Sequence, residues 1–129
     1  TMRQSPALAS LFALSLTALF SASALADSVG SAGKVISVKI NASLSDSYKT
    51  FHGSVKIRAP GKRGSTSEYK WGGTACPAKD LTDHQVELLV QAFHERKSTH
   101  VVPHTKNGQG GAKCLVGFEL RRPSGKSPS

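Results

Sequence analysis

The sequence predicts an α+β domain: an antiparallel sheet of about five strands, in the order β-β-β-α-β-β, with one helix packed on one face and one disulfide. Three observations support this prediction. Two runs in the first half alternate apolar and polar residues, a later run has helical periodicity, and two further apolar runs follow it. One sheet covered by one helix is the simplest arrangement that buries every apolar stripe.

The first 26 residues have the pattern of a cleaved secretory signal peptide. Arg3 gives a positive start, an apolar run follows, and Ala24, Leu25 and Ala26 form a small-residue cleavage pattern. A membrane-spanning helix needs about 20 predominantly apolar residues, and this run is shorter and contains serine and threonine. We therefore expect cleavage after Ala26, export to the periplasm or the exterior, and no membrane span in the remaining chain.

The rest of the chain has the length of one domain and is strongly basic. Residues 27–33 predict a flexible arm, residues 34–121 the folded domain, and residues 122–129 a disordered polar tail. Without the leader, 16 basic residues stand against 8 acidic ones, a net charge of +8 with neutral histidines. Such an excess of positive charge favours binding of an acidic partner, or it increases the solubility of the protein.

Three strands are predicted before the helix. In residues 34–44 and 51–59, apolar residues alternate with polar ones. The second run places Phe51 on the same side as its other apolar residues. In residues 68–71, Tyr69 and Trp71 alternate with a glutamate and a lysine and are expected in the core.

Residues 82–97 predict the helix. Thr82 can cap its N-terminus, and Gln85 completes a capping box. An apolar stripe follows at helical spacing, formed by Val86, Leu89, Val90 and Phe93.

Residues 99–106 and 111–121 predict the last two strands. Alternation places Cys114 on the apolar face with Phe118, so we expect it to point into the core. Cys76 and Cys114 are the only cysteines of the chain. An isolated pair in an exported protein predicts one disulfide.

The polar face of the predicted sheet gathers positive charge, and this surface is the expected binding site. We expect contacts with an acidic partner, either a protein or an envelope polyanion, and no cofactor. An inhibitor or immunity protein would fit this description. The expected contact residues are four on strands and two at a loop tip: Lys39, Lys56, Arg58, Lys70, Lys62 and Arg63.

Catalytic and metal sites receive less support from the sequence. His100 and His104 lie in a predicted strand, where residues four apart are about 13 Å apart at 3.3 Å per residue, too far for one zinc ion.

The alternative function is a secreted hydrolase that acts on a phosphodiester or another polyanion through histidines. Its candidate residues are His52, His84, His94, His100 and His104, with Lys56, Arg58 and Lys70 near the anion. Nucleic-acid binding is possible but less favoured, because strand alternation separates Tyr69 and Trp71 from Lys70.

Overall fold

The computed structural model describes residues 26–61 and 63–123. Its elements, in chain order, are β1 (Ser28–Val29), β2 (Lys34–Ile40), β3 (Gly53–Arg58), β4 (Thr66–Trp71), α1 (Asp83–His94), β5 (His100–Asn107) and β6 (Lys113–Arg121). Short 3₁₀ turns occupy Asp46–Lys49 and Gln109–Gly111. Residues 1–25, Lys62 and residues 124–129 lie outside the described residues, and with them most of the predicted leader and tail.

The helix has the predicted start. The Thr82 hydroxyl accepts a hydrogen bond from the Gln85 backbone N–H at 3.1 Å, and the Gln85 side chain accepts one from the Thr82 N–H at 2.8 Å. This reciprocal pair satisfies two of the N–H groups that a helix start leaves without partners. In the described part of the chain, no helix is long and apolar enough to cross a membrane.

The sheet is mixed and has six strands, so the prediction of about five antiparallel strands is wrong in both respects. The strand order is β1-β5-β6-β4-β3-β2. β6 returns between β5 and β4 and lies parallel to β4, which it meets at Lys70 and Cys114. The sixth strand, β1, lies within residues 27–33 and pairs with β5. Alternation reveals individual strands but not their neighbours, and a two-residue strand has no pattern.

The start of β2, at one end of the sheet, also pairs with β5, and this contact closes the sheet into a barrel. Gly33, just before β2, exchanges two backbone hydrogen bonds with Val101 of β5, at 3.1 and 2.8 Å. A side chain at Gly33 would collide with the carbonyl group of Arg58, so glycine permits this close approach. The five longer strands, β2 to β6, thus form a partly open barrel.

The main core lies inside this barrel and under the helix. β2 to β6 and α1 all contribute to it. Its buried members include Val35, Val55, Ile57, Tyr69, Trp71, Leu81, Leu89, Ala92, Val101 and Leu115. The prediction that Tyr69 and Trp71 are core residues is confirmed.

The Cys76–Cys114 disulfide is present, as predicted, but on the other side of the sheet. A register shift between His104 and Thr105 interrupts the pairing of β5 with β6. Beyond this irregularity it is Leu115 that enters the main core. Cys114 instead shares a second small cluster with Ala75 and Cys76. The expectation that Cys114 points into the main core is therefore wrong, because a bulge reverses the alternation.

Removing the disulfide should destabilise the protein strongly. The bridge joins positions 38 residues apart, for which the loss of chain entropy in the unfolded state is worth about 4 kcal/mol. Replacing both cysteines by alanine should therefore lower the free energy of unfolding by about this amount in equilibrium urea denaturation. An unchanged unfolding midpoint would contradict this role.

Candidate functional site

The four strand cations predicted to share a surface do share one. In the strand register, Lys39 lies opposite Ser54, and Ser54 lies opposite Lys70. Lys56 and Arg58 lie two and four residues after Ser54 on β3, and thus on the same face. This surface of β2, β3 and β4 points away from the main core. We call it the basic face, defined by Lys39, Lys56, Arg58 and Lys70.

Two of these lysines converge on one aromatic ring. The Lys70 ammonium group lies 4.8 Å from the centre of the Phe51 ring, and that of Lys39 lies 5.5 Å from it. Both distances fall within the range of cation–π attraction. The half-buried Phe51 also packs against the cluster of Ala75, Cys76 and Cys114, so an anchored ring attracts both lysines to one part of the surface.

The position of Phe51 differs from the prediction. Alternation placed it with the core residues of β3, but β3 begins only at Gly53. The buried Asn41 side chain donates a hydrogen bond to the Phe51 carbonyl oxygen at 2.8 Å. This bond fixes the connection between β2 and β3 and keeps Phe51 on the basic face.

The other two cations of the basic face, Lys56 and Arg58, are exposed. Lys56 lies between Ser37 and Glu68, and Arg58 lies opposite Lys34 of β2. Lys34 is thus a further cation at this surface. Strict alternation would place it on the opposite side of β2 from Lys39, and the irregular pairing between Val35 and Ser37 brings it to this side, so the sequence pattern could not have shown it. Within the described residues, no ion pair within 4.0 Å involves any of the four cations of the basic face.

The two predicted loop-tip residues are only partly placed. Arg63 is exposed in the connection between β3 and β4. Lys62 lies outside the described residues. The basic face therefore consists of its four strand residues, whose backbone positions are fixed by strand pairing.

An open groove of about 470 Å³ borders the basic face beside the disulfide cluster. Lys70 and Glu68 line its strand side, and Lys113 lines the side of the β5–β6 connection. β4 and β6 pair only at Lys70 and Cys114, so the strands separate here and leave space at the surface.

One histidine has a partner that the sequence did not indicate. The His52 Nδ1 atom lies 2.8 Å from Oδ2 of Asp80, and its ring stacks on Tyr48 with centroids 4.0 Å apart. The other Asp80 oxygen accepts a hydrogen bond from the Leu81 N–H at 2.9 Å. Asp80 is 28 residues from His52, and no local pattern joins them.

The remaining histidines do not form a cluster. His84 lies on the exposed side of α1, 3.8 Å from Glu87, and His94 ends the helix with its ring against Phe93. His100 and His104 both lie on the extended strand β5, as expected. Residues 26–61 and 63–123 contain no group of three or more histidine, cysteine, aspartate or glutamate residues that could hold a metal ion.

Barrel closure also shapes the environment of His100. Because Gly33 pairs with Val101, Lys34 comes beside His100. Burial, and then the positive charge of Lys34, hold the pKa of His100 below its ordinary value of 6.5. Positive charge therefore extends beyond β2 to this end of β5.

Comparisons with known proteins give no relative. The chain matches no protein-family model, no curated protein and no solved structure. The function must therefore be argued from this surface itself.

The lowered pKa of His100 predicts how its protonation affects stability. The unfolded chain takes up this proton more readily than the folded protein, so stability is lost as the pH falls from about 6.5 towards the lower folded pKa. His100→Gln should therefore lose less stability than the wild type between pH 7 and pH 5 in urea denaturation. Above pH 7.5 the difference between the two proteins should be constant. A variant with the same dependence as the wild type below pH 7 would contradict the shift.

Proposed function

We propose that the protein is an exported binding protein whose basic face recognises an acidic partner. The observation that carries this proposal is the set of four cations on one paired sheet surface, none in an ion pair within 4.0 Å among the described residues. Glu68, across from Lys56, is the one acidic cross-strand neighbour in the strand register. Lysine is common on the wet side of strands, but here Phe51 additionally attracts two lysines to one part of the surface. A surface fixed by strand pairing loses little conformational freedom on binding.

The arrangement suits an elongated polyanion. Lys56 and Arg58 are two residues apart on β3, about 6.6 Å at 3.3 Å per residue. Lys39 and Lys70 lie two strand spacings apart, about 9.6 Å across the sheet. The charges therefore form a band and not a single point. An envelope polymer with regularly spaced acidic groups would contact several cations at once. An acidic protein with a row of acidic groups on its surface could bind in the same way.

Architecture gives a further argument by analogy. In OB-folds, which are partly open five-stranded barrels, the second and third barrel strands and the adjoining loops carry oligosaccharides and oligonucleotides. The corresponding strands here are β3 and β4, which hold Lys56, Arg58 and Lys70. Shared architecture does not establish function, so the proposal depends on the cations.

Export completes the proposal. The leader pattern directs the chain out of the cytoplasm, and the Cys76–Cys114 disulfide is compatible with an oxidising compartment. There, the charge of +8 on the chain after the leader would attract an acidic partner and increase its association rate.

A histidine-dependent hydrolase is a second candidate, and one observation favours it. Asp80 contacts Nδ1 of His52, which leaves Nε2 as the atom that could transfer a proton. A carboxylate in this position orients the ring of many catalytic histidines. The described structure shows no nucleophile hydrogen-bonded to His52, so the binding function has more support.

Charge reversal on the basic face tests the binding function. The double variant Lys56→Glu, Arg58→Glu should bind the acidic polymers of an envelope fraction at least tenfold more weakly than the wild type at low salt. Exposed substitutions of this kind change stability by about 0.5 kcal/mol or less, so the unfolding midpoint should hardly move. The measurement is a sedimentation assay with the purified protein.

A matched control separates the basic face from net charge. Lys97→Glu with Arg122→Glu makes the same change of charge at exposed positions away from the basic face and should retain most of the binding. An equal loss of binding in both double variants would show that binding depends on total charge alone. This result would contradict the assignment of the basic face as the binding site.

Alanine at single histidines tests the hydrolase. If the protein hydrolyses a polyanion, His52→Ala should lower the rate of RNA, DNA or envelope-polymer hydrolysis by orders of magnitude, and His84→Ala should not. If the protein only binds, neither the wild type nor the variants should release fragments. Hydrolysis that survives His52→Ala would exclude the His52–Asp80 pair as its source.

A further inference from the structure

A second basic feature lies where the barrel meets the end of the helix. An open groove of about 480 Å³ is lined by three cations, Lys34, Arg58 and Arg96. Among residues 26–61 and 63–123, its other lining residues are small or apolar, and none of them is acidic. Ile36 and Pro60 are among them. The groove thus combines concentrated positive charge with apolar surface.

The strand side of the groove is fixed by the backbone. Lys34 and Arg58 are opposite residues of the antiparallel pair β2–β3, which places their Cβ atoms about 5 Å apart. Irregular pairing between Val35 and Ser37 interrupts β2 two residues after Lys34. Ile36, in that interruption, is 37% exposed although it is apolar, and it lines the groove.

Arg96 lines the helix side of the groove, and its side chain makes two local contacts. Its guanidinium donates a hydrogen bond to the Phe93 carbonyl oxygen at 3.2 Å and lies 5.2 Å from the centre of the Phe93 ring. These two contacts restrict the long side chain, so less freedom is lost when its remaining N–H groups bind a ligand. Within the described part of the chain, no carboxylate lies within 4.0 Å of Lys34, Arg58 or Arg96.

Three cations suit one type of anion best. A carboxylate has two oxygens, and a single arginine can satisfy both. A phosphate monoester has three terminal oxygens and nearly two negative charges above its second pKa, which is about 6. Two guanidinium groups and one ammonium group can each take one of these oxygens, and the apolar lining can cover the organic part.

We propose that this groove binds the phosphate monoester group of an organic ligand. Lys34, Arg58 and Arg96 hold the phosphate oxygens, while Ile36 and Pro60 contact the part of the ligand that bears the phosphate. The inference deepens the proposed function, on which it rests, because Arg58 belongs to both surfaces. It identifies a phosphate as one acidic group of the partner.

Phenyl phosphate is the probe that tests the groove. Binding to the isotope-labelled protein at pH 8 is followed by NMR, with benzoate and phenyl sulfate as singly charged competitors of similar shape. We expect phenyl phosphate to bind at least tenfold more tightly than either, with shifts at residues 34, 36, 58 and 96. Equal affinity for the three probes would overturn the choice of phosphate.

Two variants locate the site. Arg96→Gln should weaken binding of phenyl phosphate at least tenfold, because it removes the only groove cation on the helix side. Arg122→Gln removes one exposed arginine outside the groove and should change affinity by less than twofold. Equal effects of the two variants would overturn the groove as the site, whatever the anion.

Vesicles distinguish two sources of the phosphate. Sedimentation with vesicles that contain phosphatidic acid, but not with those that contain phosphatidylglycerol, would support the groove and identify a lipid monoester. Sedimentation with neither, together with tight phenyl phosphate binding, would support it and indicate a soluble or polymer-borne phosphate. Arg96 lies outside the basic face, so failure of these tests leaves the Lys56 and Arg58 result unaffected, and the two proposals can fail separately.

Discussion

The two backbone hydrogen bonds between Gly33 and Val101 join the start of β2 to β5 and bring Lys34, a cation of the groove, beside His100. They close the sheet into a barrel by joining its end strand β2 to β5, so that the start of β2 lies between β3 and β5. As a result, Lys34 lies beside Arg58 on one side and His100 on the other. Without this closure, the N-terminal half of β2 would be an edge strand, and edge strands present unpaired backbone groups to other chains. Glycine permits it, because any side chain at position 33 would meet the Arg58 carbonyl group.

Local structure could be predicted from the sequence, but long-range pairing could not. The capping box at Thr82 and the alternation of residues 55–58 in β3 depend on residues a few positions apart, and the structure confirms them. The alternation predicted for β2 is wrong, because irregular pairing between Val35 and Ser37 reverses it, so that Val35 is buried and Ile36 is 37% exposed. The parallel pairing of β4 with β6 joins positions more than forty residues apart. The side of Cys114 was predicted wrongly for a related reason: one irregular position near His104 reverses the alternation on which the prediction depended. The disulfide itself followed from counting cysteines and needed no geometry.

The same division holds for the functional surfaces. Lys39, Lys56 and Lys70 could be assigned to one face because period-two alternation is a property of each strand. Their convergence on Phe51 could not, since it depends on where β3 begins. Arg96 is a similar case, because the sequence indicates only a cation near the helix end, and the groove exists only after the helix packs near β2. Pairs of distant residues, such as His52 with Asp80, require the fold.

The most direct test of the account is to map where an acidic polymer touches the protein. NMR shift changes during titration with an envelope polymer that sediments with the protein would provide this map. If the basic face is the binding site, the changes will be concentrated on the outward-facing residues of β2, β3 and β4, centred on Lys56 and including Lys39 and Lys70. They will disappear at high salt, because exposed charges are screened. Changes centred on His52 and Asp80, or spread evenly over all exposed lysines and arginines, would contradict the assignment of the basic face.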